Sequence, residues 1–70
     1  MDSADIAKYA KMVRGVLTMA GPQPRLRIGL LFQKLGLSKE ETDEVIADGL
    51  ANGVLHAEGH MLRESVSTTG

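Results

Sequence analysis

Residues 28–38 read IGLLFQKLGLS, and they decide the fold because a helical apolar repeat runs directly into a tight turn. The apolar residues of the repeat recur at three- and four-residue steps: Ile28, Leu31, Phe32 and Leu35. This spacing predicts an amphipathic helix over about 25–35. Gly36 follows at the position where a left-handed residue ends a helix. Ser38 and Glu41 then form a capping box, which predicts that the next helix begins at once.

That next helix is predicted to span about 39–52, and Asn52-Gly53 ends it. Its inward residues are Val45, Ile46 and Leu50. Gly49 lies on the same side, where the missing side chain would let another backbone approach closely.

A longer helix is predicted upstream, over about 4–20, with Ser3 as its cap and Asp5 in its first turn. Its inner face repeats with helical spacing: Ile6, Tyr9, Ala10, Val13, Val16, Leu17 and Ala20. Gly21-Pro22-Gln23-Pro24 follows and is predicted to be a stiff linker between the helices.

The residues after the third helix predict a β-hairpin over 54–64. A two-residue turn at Glu58-Gly59 sets Leu55 opposite Leu62, whereas a turn at Gly59-His60 sets Leu55 opposite Glu64. The first register is preferred, because it pairs two leucines on one face. The polar tail 65–70 is predicted to be mobile. The predicted core consists of Val13, Leu17, Ile28, Leu31, Leu35, Val45, Leu50 and Leu55.

The stretch 28–38, the pair Val45-Ile46 and the stretch 49–55 together resemble the helix-turn-helix pattern of small winged-helix regulators. The resemblance covers about residues 5–64. It implies a mainly α domain, 4–64, of three helices followed by a short C-terminal hairpin, the wing. It also implies a DNA-binding regulator whose third helix enters the major groove.

Composition narrows the class of protein. Seventy residues form one domain at most, and an apolar content of 43% is enough for a globular core. The absence of cysteine excludes disulfides and thiolate metal sites. No signal peptide and no apolar run of about 20 residues is visible, so we expect a cytoplasmic protein without a membrane partner.

Charge is distributed unevenly along the chain. Residues 6–35 contain six bases and no acid, whereas residues 38–53 contain one base and five acids. The first half is therefore basic, and the third helix carries a net charge of −4.

The resemblance places Ser38, Lys39, Thr42 and Asp43 on the exposed start of the third helix, where winged-helix regulators contact DNA. The carboxylates of that helix oppose this mode, because DNA carries one charge per ~1.7 Å of its axis. A mode led by phosphate contacts is the expected form of DNA binding. The candidate DNA-binding residues are Arg25, Arg27, Lys34, Lys39, Thr42, His60 and Arg63. The alternative is that these are ordinary solvated charges.

A protein-binding adapter or inhibitor is the rival hypothesis. Met12 and Met19 lie mostly off the core face of the first helix, and Leu26 and Leu30 point away from the core face of the second. These four residues predict a surface for a homodimer or another protein partner. The alternative is that the methionines edge the core and the leucines pack on the linker.

Catalysis has little support in the sequence. His56, Glu58 and His60 are close together, but the two histidines are not spaced one helical turn apart on a helix with a glutamate after the first. We therefore expect no enzyme activity, no metal, no cofactor and no small-molecule substrate.

Overall fold

The computed structural model describes residues 2–65, a mainly helical unit in which three helices account for 64% of those residues and a small antiparallel sheet completes the fold. The elements follow in the order α1 (Ser3–Ala20), β1 (Gln23–Pro24), α2 (Arg25–Lys34), α3 (Lys39–Ala51), β2 (Leu55–Glu58) and β3 (Met61–Glu64). The three predicted helices are confirmed to within about a residue at each end, which is the ordinary uncertainty of helix boundaries.

The predicted capping box is present at the start of α3. The Glu41 backbone N–H donates to Ser38 Oγ at 3.1 Å, and the Ser38 N–H donates to Glu41 Oε1 at 2.9 Å. Gly36 has a φ of +96°, which confirms the predicted left-handed end of the preceding helix. The predicted cap of α1 is wrong: Asp2 occupies that position, and no side chain caps the helix.

Residues 21–24 are not merely a linker. Gln23 and Pro24 form β1, which pairs with Leu62 and Met61 of β3 in a sheet of order β1-β3-β2. β1 is thus an edge strand, where a proline without an N–H is tolerated. The strand ties the start of α2 to the hairpin, and the Arg25 N–H donates to the His60 carbonyl at 2.8 Å.

The hairpin adopts the register that the sequence disfavoured. Leu55 lies opposite Glu64 and Ala57 opposite Leu62, with Gly59 and His60 in the turn. Gly59 has a φ of +61°, whereas His60 has none in the positive range, which is the pattern of a turn with glycine at its first central position. The two registers differ by two residues, so Leu55 and Leu62 face the core in either one.

The core lies where α1, α3 and the hairpin meet. Its buried residues are Ala10, Val13, Leu17, Ile28, Phe32, Leu37, Val45, Ile46, Leu55 and Leu62. Five of the eight predicted core residues are among them. Leu50 is only partly buried, and Leu31 and Leu35 are exposed, so those three predictions are wrong.

The sequence predicted that another backbone approaches Gly49 closely. In the structure, a side chain of β2 occupies this space instead. A Cβ added there would lie 2.7 Å from Leu55 Cδ1 and 2.9 Å from Leu55 Cγ. The glycine thus leaves the space in which β2 anchors on α3.

The predicted tail begins at Ser65, whose N–H donates to the Val54 carbonyl at 3.2 Å. The other tail residues, 66–70, lie outside the described residues.

Candidate binding surfaces

α2 contacts the core along one narrow edge. Only Ile28 and Phe32 are buried, and the Phe32 ring meets the Tyr9 ring edge to face, with centroids 5.7 Å apart. α2 packs against α3 and β1 rather than along α1. Most of its circumference is therefore left to solvent.

The exposed part of α2 is rich in leucine. Leu26 is 76% exposed and Leu30 is 51% exposed, as predicted, and Leu31 and Leu35 are exposed further round the helix. We call these four residues the α2 leucine surface. Three exposed leucines on a ten-residue helix, with a fourth at its C-cap, exceed the scattered apolar side chains that a solvated surface normally carries.

A groove of about 750 Å³ separates α2 from the C-terminal half of α1. Val16 and Ala20 line it from α1, and Leu30 and Leu31 line it from α2, with Ile28 among the lining residues as well. We call it the α1–α2 groove. Met12 and Met19 are exposed on α1, as predicted, with Met19 at 90%.

The charged side chains lining the α1–α2 groove are basic. Arg27 and Lys34 line it, and no carboxylate among residues 2–65 does. Arg27 Nη1 donates to Gln23 Oε1 at 3.2 Å, and neither base forms an ion pair within residues 2–65. Two cations on an apolar groove favour an occupant with both apolar and acidic groups.

A smaller cleft, of about 320 Å³, lies between α2 and α3 and has mixed charge. Arg25, Lys39 and Asp43 line it together with Leu26 and Leu30. The Arg25 Nη2 atom is 3.9 Å from Asp43 Oδ1, so part of the basic character of this cleft is already neutralised.

The prediction that Thr42 is exposed at the start of α3 is wrong. The residue is buried, and its hydroxyl donates to the Ser38 carbonyl at 2.9 Å. Its methyl carbon would lie 3.9 Å from a Cβ at Gly29, so Thr42 packs where α2 and α3 meet. It cannot reach a DNA base from there.

The other six predicted DNA-binding residues do not form one patch. Arg25 and Lys39 share the α2–α3 cleft, and the backbone carbonyl of His60 in the hairpin turn accepts from the Arg25 N–H. Arg27 and Lys34 face the α1–α2 groove instead. Arg63 lies in β3, where its Nε is 2.9 Å from Glu58 Oε1.

Glu58 also lies near His56, with 3.8 Å between Oε1 and His56 Nε2. Strands β2 and β3 therefore carry a cluster of His56, Glu58 and Arg63 in which the charges compensate, rather than a basic strip. Among residues 2–65, no three His, Asp or Glu side chains are placed to hold a metal ion.

The exposed face of α3 is acidic. Glu40, Asp43 and Glu44 are exposed there, whereas the Glu41 carboxylate is turned back onto the helix start. The hydrogen bond from the Ser38 backbone N–H lowers the pKa of Glu41 from its ordinary value. Glu41 is thus held as an anion by the cap, and the remaining three face solvent.

Glu64 connects the hairpin to α1. Thr18 Oγ1 donates to Glu64 Oε2 at 2.6 Å, and Arg14 Nε donates to Glu64 Oε1 at 3.4 Å. These contacts lower the pKa of Glu64, the Thr18 hydrogen bond most. They also explain why a glutamate can lie opposite Leu55: its carboxylate reaches partners on α1.

No family of known proteins, no curated protein and no solved structure matches this chain. In the part of the chain that the structure describes, no helix has both the length and the apolar character needed to cross a membrane.

Proposed function

We propose that this chain is a winged-helix module that binds another protein through the α2 leucine surface, and that it acts by binding rather than by catalysis. The observation that carries the proposal is the exposure of three leucines on α2 and a fourth, Leu35, at its C-cap, of which Leu26 and Leu30 lie opposite the buried Ile28. Such a surface lowers its free energy when a partner covers it.

The winged-helix part of the proposal is supported by the order of the elements. A strand after α1, a helix pair joined by a short turn and a terminal hairpin follow one another, and the first strand pairs with the last in the order β1-β3-β2.

A protein partner is preferred to DNA because the exposed face of α3 is acidic. Glu40, Asp43 and Glu44 would meet the phosphates if this helix entered a major groove. The burial of Thr42 removes one of the three uncharged or basic contacts that the start of the helix was predicted to offer.

A DNA-binding role remains the second candidate, on one specific observation. The hydrogen bond from Arg25 to His60 brings the wing turn beside the start of α2, and Lys39 lies in the same cleft. Arg25 and Lys39 are therefore two bases that line one cleft, and such groups bind phosphates without reading sequence.

The first experiment is site-specific photo-crosslinking in cells that express the protein. A photoreactive residue at Leu30 should form an adduct with one defined protein, whereas the same residue at Ala47, on the exposed face of α3, should not. The captured protein, once purified, should bind the parent and lose binding to Leu26→Lys/Leu30→Lys. The matched control is Ala47→Lys/Ala51→Lys, which adds the same charge to α3.

A gel shift with random duplex DNA at two salt concentrations distinguishes DNA binding from protein binding. If DNA is the partner, Arg25→Gln/Lys39→Gln should weaken binding on all sequences and lower the salt slope by about two units. Binding that survives Leu26→Lys/Leu30→Lys but not Arg25→Gln/Lys39→Gln would contradict the protein-binding proposal.

A further inference from the structure

We infer that the α1–α2 groove binds an acidic amphipathic helix from a different protein. This inference rests on the proposed function and names the chemistry of the partner. It follows from the shape of the groove, from its charge and from what the chain itself can offer as an occupant.

The groove is open along its length and has an apolar wall on each side. Val16 and Ala20 are one helical turn apart on α1, and Leu30 and Leu31 face them from α2. An incoming helix presents apolar side chains at the same spacing, which is the usual way an amphipathic helix fills a groove.

The bases on α2 select the charge of the occupant. Arg27 and Lys34 are seven residues apart, which is two helical turns or about 10.5 Å. Carboxylates spaced two turns apart on a bound helix could meet both. In the part of the chain that the structure describes, no acid lines the groove to compete for them.

A second copy of the chain does not fit this groove. A two-fold contact through it would bring Arg27 and Lys34 of one copy towards the same bases of the other. The chain's own acidic helix is unsuitable as well, because α3 exposes Ala47 and Ala51 between its acids. Its large apolar residues Val45 and Ile46 are buried in the core.

The test uses two labelled 18-residue peptides and fluorescence anisotropy. Both carry leucines at positions i, i+3, i+4 and i+7, and they differ only in having glutamate or lysine at every flanking position. The glutamate peptide should bind about tenfold tighter than the lysine peptide, since it gains two exposed ion pairs and avoids repulsion. The difference should shrink as salt is raised from 50 to 500 mM.

Arg27→Glu/Lys34→Glu should reverse the preference between the peptides. The matched control, Lys8→Glu/Lys11→Glu, changes net charge equally on a part of α1 that does not line the groove, and it should keep the preference. Circular dichroism of each variant verifies the fold, which the exposure of all four side chains should preserve.

If both peptides bind equally well and Leu31→Asp abolishes the binding of both, the groove does not select an acidic partner. That result would overturn the inference and leave the proposed function intact. Failure of both peptides to bind would overturn the inference too, while a specific crosslink at Leu30 would still support the proposed function. Displacement of the glutamate peptide by duplex DNA or by a second copy of the chain would show that the groove takes a different occupant, and would also overturn the inference.

Discussion

At the scale of single residues, Ser38 shows how one side chain fixes a helix boundary. Its hydroxyl accepts the Glu41 N–H that α3 would otherwise leave without a partner. Ser38→Ala should therefore destabilise the protein by about 1 kcal/mol. Ser3→Ala is the control, since no side chain caps α1, and it should change stability by less than about 0.5 kcal/mol. Equal losses in thermal unfolding of the two variants would contradict this account.

Glu64 makes part of the stability depend on pH. Because folding lowers the pKa of this carboxyl from its ordinary value of 4.5, its contribution is fully present above that pH and is lost as the pH falls through the lowered folded value. The main cause is the Thr18 hydrogen bond, so Thr18→Val should raise the pKa of Glu64 back towards 4.5. An NMR titration of the Glu64 carboxyl carbon in parent and variant measures this. The same titration curve in both would show that Thr18 is not the cause.

At the scale of elements, two glycines inside helices have opposite roles. Gly49→Ala would press a methyl group into Leu55, which is buried and cannot swing away, so the expected cost is about 1–3 kcal/mol. Gly15→Ala meets nothing within 4 Å and should stabilise α1 by about 0.5–1 kcal/mol. Chemical denaturation of both variants measures the difference. If Gly49→Ala leaves the free energy of unfolding unchanged, β2 does not anchor on α3 at this point.

The orientation of α2 predicts a sharp contrast between adjacent residues. Phe32 is fully buried and meets Tyr9, so Phe32→Ala should cost about 3–5 kcal/mol, enough to unfold a domain of this size. Leu31 is 37% exposed, so Leu31→Ala should cost about 1 kcal/mol. If Phe32→Ala does not fold, Phe32→Leu is measured in its place. The opposite ranking of positions 31 and 32 would place α2 in a rotated orientation.

The sequence predicts the helices well because their ends carry local chemistry, such as the capping box at Ser38 and the glycine at position 36. It fails on α2 because apolar residues occur all round this helix, so the repeat does not tell which face is buried. It fails on the hairpin register because both registers keep the leucines on the core side. Only the conformation that Gly59 favours distinguishes the two.

The candidate surfaces are predicted in part. The exposure of Leu26 and Leu30 follows from their position opposite Ile28, and the structure confirms it. The separation of Arg25 from Arg27 could not be predicted, because it depends on α2 lying between a groove and a cleft. Local sequence contains no information about which other helix faces each side.

At the scale of the whole molecule, the uneven charge of the chain becomes a difference between two surfaces. The α1–α2 groove is basic and apolar, and the exposed face of α3 is acidic. Binding on the groove side leaves the carboxylates of α3 in solvent, where they do not oppose binding. Binding of DNA on the α3 side would bring them against phosphates.

The most direct test of the central claim is a residue-resolved NMR titration of the ¹⁵N-labelled protein with the glutamate-flanked helical peptide. The account predicts amide shift changes in residues 16–20 and 26–35, with the backbone of α3 and the wing unaffected. Shift changes confined to residues 39–44 and 56–63 would contradict the account. So would shift changes in those residues, without any in α2, when duplex DNA is added.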